Sequence, residues 1–370
     1  MSIVDKALDL DLVDTNSPFG FGQYVLDRYT SALQTSLRLP SSGATAHAPV
    51  ADGRESHGGP VLLRSRSTAG HGVVVDRVSN AVEQRLTLRL VAAGAERLET
   101  TYRLLKGLRR VEIEQRLAKL ATTEKESVYF VFPFALVEPA VEVELAGAVG
   151  GPAAPHVPGS AAHLAVMRHW ISLRDSASTV AWSSDGAALA HLGNIPLPFP
   201  PFPPTFEPSR PGTIVSWAMN NVWDTNFPLT QGGEAAFRYA VASAAPTADG
   251  RQLGRRTGAE LTRPFVGVLG AARSPNRLGA SGSFCVLDRD DVEVVLLGAS
   301  QRGHAFVVYL HSTARETVEV SVALPDLDVE RVLAGTFLER ELIDVTRDGG
   351  ARLRLDPGDY VALAVDLVAR

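Results

Sequence analysis

The sequence predicts an almost entirely β chain: a large lobe of packed antiparallel sheets, then a smaller β-sandwich. Three observations predict this. Period-two alternation of apolar and polar residues recurs along the 370 residues, the pattern of strands with one wet and one buried face. Convincing helical periods are scarce. The regular strand–helix alternation of a parallel α/β fold is missing.

Taken in order, the first periodic element is 23–33, where Tyr24, Val25, Leu26, Tyr29 and Leu33 suggest one short helix. Residues 40–60, rich in Gly, Ser, Ala and His, read as a loop. Strands follow at 85–90, 111–117 and 141–145, each alternating in character. Between the first two, Leu105-Lys106-Gly107-Leu108 reads as a hairpin turn. Val128-Tyr129-Phe130-Val131-Phe132 is apolar on both faces, as is 292–297, and both are expected to be central strands covered on each side. Loops are expected at 147–160 and at 195–212. The latter carries eight prolines, which forbid a helix or a sheet interior. It is expected as an extended crossover pinned by Phe199, Phe202 and Phe206, or alternatively as a ligand for a proline-binding domain. From about Gly282 short strands and turns recur, among them 318–322 and a closing strand at 361–368 after Asp356-Pro357-Gly358-Asp359. The divisions expected are an N-terminal arm (1–20), the large lobe (21–250), a hinge (251–281) and the small sandwich (282–370).

Composition narrows the function classes. Hydrophobic residues make up 45% and charged residues 21%, a globular balance. With 36 basic against 41 acidic residues and a net charge of −5, an electrostatic grip on nucleic acid is not expected. No apolar run is long enough to cross a membrane as a helix. The acidic start, Asp5, Asp9, Asp11 and Asp14, lacks the apolar core of a secretory leader. A cytoplasmic location is expected, and Met1-Ser2 reads as a translation start. One cysteine, Cys285, excludes an internal disulfide and a multi-cysteine zinc site. Only four lysines occur, Lys6, Lys106, Lys119 and Lys125. Neither a Gly-x-Ser-x-Gly elbow nor a nucleotide-binding glycine fingerprint is present. The nine histidines show no i, i+2 or i, i+4 ligand pair. Glu112, Glu114, Glu142 and Glu144 fall on polar strand faces and read as solvated.

The densest constellation is 216–228. Asn220, Asn221 and Asn226 offer paired donors and acceptors that suit sugar hydroxyls. Trp217 and Trp223 offer flat apolar faces. An Asn-rich turn with core aromatics fits the same composition.

These segments resemble the C-terminal, non-barrel region of glycoside hydrolase family 38 α-mannosidases, especially the bacterial type. The resemblance rests on Val128-Tyr129-Phe130-Val131-Phe132-Pro133-Phe134 and on His169-Trp170-Ile171-Ser172-Leu173-Arg174-Asp175. It rests further on Met219-Asn220-Asn221-Val222-Trp223-Asp224-Thr225-Asn226-Phe227 with Gln231-Gly232-Gly233 and Phe237-Arg238-Tyr239, and on Phe337-Leu338-Glu339-Arg340. The resemblance implies a galactose mutarotase-like antiparallel supersandwich followed by a smaller β-sandwich. It also implies that the nucleophile and the catalytic zinc belong to a barrel outside this sequence, so no catalytic residue, metal ligand or cofactor is expected here. The implied role is a non-catalytic β-region that contacts a mannose-containing glycan or small sugar, or docks a separately encoded catalytic barrel or a second copy of itself. The residues implied for sugar contact are Asn220, Asn221, Trp223, Asp224, Thr225, Asn226 and Arg238. The competing reading has the motif lock its own loop, with Trp223 in the core and Arg238 paired to Asp224 or Glu234. Two other functions stay open: a free-standing mutarotase-like epimerase or lyase, which needs a convergent His/Glu pair on a concave face, and an interaction remnant that binds no sugar.

Overall fold

A computed structural model describes residues 2–30, 63–152, 162, 164–197, 208–222, 228–263, 265–267 and 281–368. The chain divides into two compact units, Met1–Glu144 with Gly150–Pro264, and Leu145–Val149 with Phe265–Arg370. It is nearly all β, with antiparallel sheets throughout and one helix among the described residues.

In chain order the first strands are β1 (Val4–Asp5), β2 (Leu10–Asp11), β3 (Gln23–Tyr29), β4 (Leu63–Thr68), β5 (Val73–Ser79), β6 (Glu83–Leu90), β7 (Ala95–Leu105), β8 (Arg110–Lys119) and β9 (Glu126–Pro133). There follow β10 (Ala140–Leu145), β11 (Ala148–Gly150), β12 (Leu164–Val166), β13 (Trp170–Arg174), β14 (Thr179–Asp185), β15 (Leu189–Leu192), β16 (Thr213–Asn220), β17 (Gly233–Ala244) and the helix α1 (Gly250–Thr262). A nine-stranded sheet runs β11-β10-β13-β14-β17-β8-β7-β6-β5, and a six-stranded sheet runs β12-β15-β16-β9-β3-β4. Their inner faces meet through aromatic side chains. Phe132 of β9 lies 4.8 Å from Tyr239 and 5.3 Å from Trp182, ring to ring. The Ser216 and Tyr239 hydroxyls meet at 3.0 Å across the same gap. Burying each such large side chain contributes roughly 1.5–3 kcal/mol.

The expected helix at 23–33 is instead β3 as far as Tyr29, and 31–33 lie outside the described residues. Tyr24 and Leu26 face the other sheet, while Val25, Asp27 and Tyr29 face the opposite way and are also buried. A strand buried on both faces has no polar alternation, and its apolar cluster imitates a helical stripe. Strand β9, buried at every residue, is the two-faced central strand expected. The hairpin at Lys106 and Gly107 joins β7 to β8, with Gly107 at φ 84°. Of the expected loops, 40–60 lies outside the described residues, as do most of 147–160 and 195–212.

The expected hinge at 251–281 is not irregular at its start: 250–262 form α1. Asp249 caps it, its carboxylate accepting from the N–H groups of Arg251 and Gln252. Gly250, Gly254 and Gly258 form a stripe four residues apart and face the nine-stranded sheet. That sheet's surface beneath is equally small: Ser172, Thr179, Ala181, Ser183, Ala240 and Ala242, with Trp170 at one side. Glu144 is likewise no solvated carboxylate. It is buried, with Arg168 at 3.7 Å and His169 at 3.2 Å, while Glu142 accepts from Arg251 at 2.9 Å.

The second unit holds β18 (Val286–Leu287), β19 (Val292–Gly298), β20 (Phe306–Ser312), β21 (Val318–Ala323), β22 (Val329–Gly335), β23 (Ile343–Asp344), β24 (Thr346–Arg347), β25 (Gly350–Leu355) and β26 (Tyr360–Leu367). A four-stranded sheet, β18-β21-β25-β24, packs on a five-stranded one, β19-β20-β26-β22-β23. Between them lie Val308, Leu310, Val320, Val332, Leu355 and Leu363. Strand β19, expected to be central, is the edge of its sheet and leaves Leu296 and Leu297 exposed.

Candidate functional site

Strand β16 delivers the first of the predicted sugar residues. It pairs with β9 so that Asn220 stands opposite Ser127, after a bulge between Trp217 and Met219. Asn221 then leaves the strand, and its buried side chain turns inward. Its Oδ1 accepts from the Glu126 N–H at 2.8 Å. Its Nδ2 donates to the carbonyls of Glu124 at 2.8 Å, Leu229 at 3.0 Å and Thr122 at 3.4 Å. The Asn221 carbonyl accepts from Lys125 Nζ at 3.2 Å. One amide thus ties together the ends of three segments, as the loop-locking reading requires, and its hydrogen-bonding capacity is spent.

Around this clamp the charges are paired inside the protein. Lys119 bonds Glu126, each side chain 4% exposed, and Arg28 approaches the same carboxylate at 3.3 Å. Asn220 lines a small cavity of about 10 Å³ with Lys119, Glu126 and Gln231, close to the least room one water needs. Trp223, Asp224, Thr225 and Asn226 lie outside the described residues. Arg238 is not with the asparagines. It sits on β17 in the other sheet and is exposed, whereas its neighbours Phe237 and Tyr239 are buried. Among the described residues its ion-pair partner is Asp185, its cross-strand neighbour, rather than the expected Glu234; the other expected partner, Asp224, lies outside them. Glu234 pairs with Arg97 at 2.7 Å.

A second cluster lies on the face of the six-stranded sheet turned away from its partner sheet, and sequence reasoning missed it. Val25, Tyr29, Tyr129, Val131, Val215, Trp217 and Val222 form one buried group there. The Tyr29 and Tyr129 hydroxyls meet at 3.0 Å. Burial pushes the Tyr29 phenol up to about 12 and that of Tyr129 well above its ordinary value. Both are therefore protonated at neutral pH and do not act as bases there. Arg66 grips the buried Asp27 carboxylate with two bonds of 2.7 Å. His191 stacks on Trp217 at 5.2 Å. The available signal was parity: Ser127, Tyr129 and Val131 share one face of β9. Their partners Asp27 and Tyr29 were hidden by the helical reading of β3.

His–carboxylate pairs occur elsewhere: His169–Glu144, His304–Asp366 at 2.8 Å and His311–Glu293 at 3.2 Å. Among the described residues no group of three His, Cys, Asp or Glu side chains is placed to hold a metal ion.

The fold and this site define an all-β sandwich chain in which the Asn221 clamp and the Arg66–Asp27 pair are satisfied internally. No protein-family model matches the chain, and no curated protein matches it by sequence. Solved structures do. An α-mannosidase from Enterococcus faecalis superposes with a TM-score of 0.66 at 10% identity, over 99% of this chain and 40% of that one. A glycosyl hydrolase family 38 protein from the same species gives 0.66 at 11% identity, over 99% and 41%. At such identity the likeness is one of fold. The chain spans about two fifths of the length of those it matches, and the resemblance seen in the sequence is matched at the level of fold.

Proposed function

We propose that the chain is the carbohydrate-related β-region of an α-mannosidase-like glycoside hydrolase, non-catalytic by itself, which docks a catalytic barrel. The observation that carries this reading is the superposition of nearly the whole chain on two fifths of an α-mannosidase. The Asn221 clamp and the Arg66–Asp27 pair support it, because their donors and acceptors are matched to one another rather than presented to a substrate.

The docking surface we assign is the overhang of the nine-stranded sheet. That sheet has nine strands against six, and β5, its edge among the described residues, exposes Val73, Val74 and Val75 at 64%, 54% and 43%. Unpaired edges of this kind invite another chain. Sugar contact falls to Asn220 and to Trp223, Asp224, Thr225 and Asn226, while Asn221 is spent on the protein itself. The test is an aryl α-mannoside assay on the pure chain, with and without a family 38 barrel added. The expected outcome is no turnover alone and a stable complex with the barrel. Chelator-sensitive turnover by the pure chain sinks the reading.

A further inference from the structure

The β1–β2 hairpin is attached to the larger unit unequally at its two ends. Its base is fixed to the end of β9. The Asp14 N–H donates to the Pro133 carbonyl and the Ala135 N–H to that of Leu12, each at 3.0 Å, and Val13 bridges to Phe134. Its far end hangs on one side chain. Among the described residues, every hydrogen bond that joins 2–11 to the chain beyond 14 is made by the Asp5 carboxylate. The strands pair over two residues each, and a lone two-stranded hairpin is marginal in water.

Packing does not supply what the hydrogen bonds leave out. Beside the hairpin lies a cavity of about 310 Å³, lined by its Ile3, Val4 and Leu12. The floor is a row of cross-strand neighbours, Leu104 of β7, Val111 of β8 and Val241 of β17. Packed interiors hold few voids larger than a water, so across this space the hairpin and the floor forgo dispersion contacts. The hold therefore rests on Asp5. Ser243 Oγ and Arg109 each donate to its carboxylate at 2.6 Å, and the Ala7 N–H at 2.9 Å. Burial raises the Asp5 carboxyl, but Ser243, Arg109 and Ala7 outweigh it and hold the group below the ordinary aspartate range. It is ionised at neutral pH, and both bonds to the sheet are available there. Arg109 is half exposed, so water and salt compete for its share.

We propose that the β1–β2 hairpin is a gate with one latch: it swings about residues 12–14, and release of Asp5 from Ser243 and Arg109 uncovers the apolar floor. The gate stands on the geometry of this hairpin and does not rest on the mannosidase-like reading.

The test is thiol labelling of the full chain. Val241→Cys puts a thiol in the floor, at a position 2% exposed, and Cys285→Ser removes the other thiol. Labelling with dithionitrobenzoate, whose disulfide the floor thiolate attacks to release thionitrobenzoate, is followed by absorbance. In this parent the thiol is expected to react slowly. Adding Asp5→Ala is expected to speed labelling about tenfold, the worth of one charged hydrogen bond, with the thermal midpoint unchanged. Ser243→Ala cuts the latch from the sheet side and is expected to speed it severalfold. High salt is expected to speed labelling only while Asp5 is present, and Asp9→Ala at the hairpin tip to leave it unchanged. A floor thiol that reacts at once in the parent, Asp5→Ala and Ser243→Ala labelling no faster than the parent, or an acceleration matched by a fallen thermal midpoint each overturns the proposal.

Discussion

At the residue scale, Asn220 and Asn221 are neighbours with opposite fates. The Asn221 amide satisfies a buried N–H and three carbonyls from two segments. Asn221→Ala strips those groups of partners, and a loss of about 3 kcal/mol is expected in urea unfolding. Asn220→Ala is expected to stay within about 0.5 kcal/mol while weakening any mannose binding seen by NMR. Sequence composition presented the two as equals, because three asparagines in a row of polar residues carry no sign of which amide turns inward. Glu339 gives a pH-dependent counterpart. The Ser300 hydroxyl above all, then the Gln301 N–H and the Tyr309 hydroxyl, hold its carboxyl below the ordinary glutamate range. A depressed folded-state pKa means the unfolded chain takes up the proton first. The stabilisation is therefore present above about pH 4.3, the free value, and fades as pH falls through the folded one. The small sandwich is expected to show a lower denaturant midpoint at about pH 3.5 than at pH 7, and Glu339→Gln to flatten that difference.

At the element scale, α1 shows why its segment was expected to be a hinge. Three glycines in nine residues usually signal flexibility. Here they are spaced by one helical turn and let the backbone lie against a sheet surface of Ser, Thr and Ala. A Cβ built on Gly254 falls 2.4 Å from the Trp170 ring, and one on Gly250 falls 2.8 Å from Ser172 Oγ. Replacing a mid-helix glycine by alanine ordinarily stabilises by up to about 1 kcal/mol. Gly254→Ala is expected to do the reverse, costing about 1–3 kcal/mol through overpacking, as read by thermal unfolding followed by far-UV circular dichroism. The cap Asp249 was the readable signal for a helix start. The strands with one wet face, β6, β8 and β21, were legible because alternation survives there, as it does in β10, whose polar face is covered. Strand β3 was not, because both its faces are covered and tertiary burial erases the period.

At the scale of the whole molecule, the sheet overhang makes an association prediction. In light scattering the chain is expected to run larger than a monomer or to co-purify with a partner. Val74→Lys on the β5 edge is expected to reduce that association without loss of fold, since charge on an edge strand guards it. A strict monomer with no partner counts against the docking surface. Architecture was legible at this scale because strand patterning is distributed along the chain. The candidate site was less so, since Arg238 and Asn220 are 18 positions apart in sequence yet belong to different sheets. Sequence proximity carries no information about which layer a strand joins.

The scarcity of lysine acquires a use once burial is known. Lys119 and Lys125 are each 7% exposed, whereas Lys6 and Lys106 stand in solvent. An amine-directed acylating reagent therefore meets two side-chain targets in the native protein and four in the unfolded one. Intact-mass counting of adducts becomes a direct gauge of whether the Asn221 clamp is closed, since Lys125 is bonded to that residue. Asn221→Ala, if it frees the loop without unfolding the sheets, should add a label at Lys125 before one appears at Lys119.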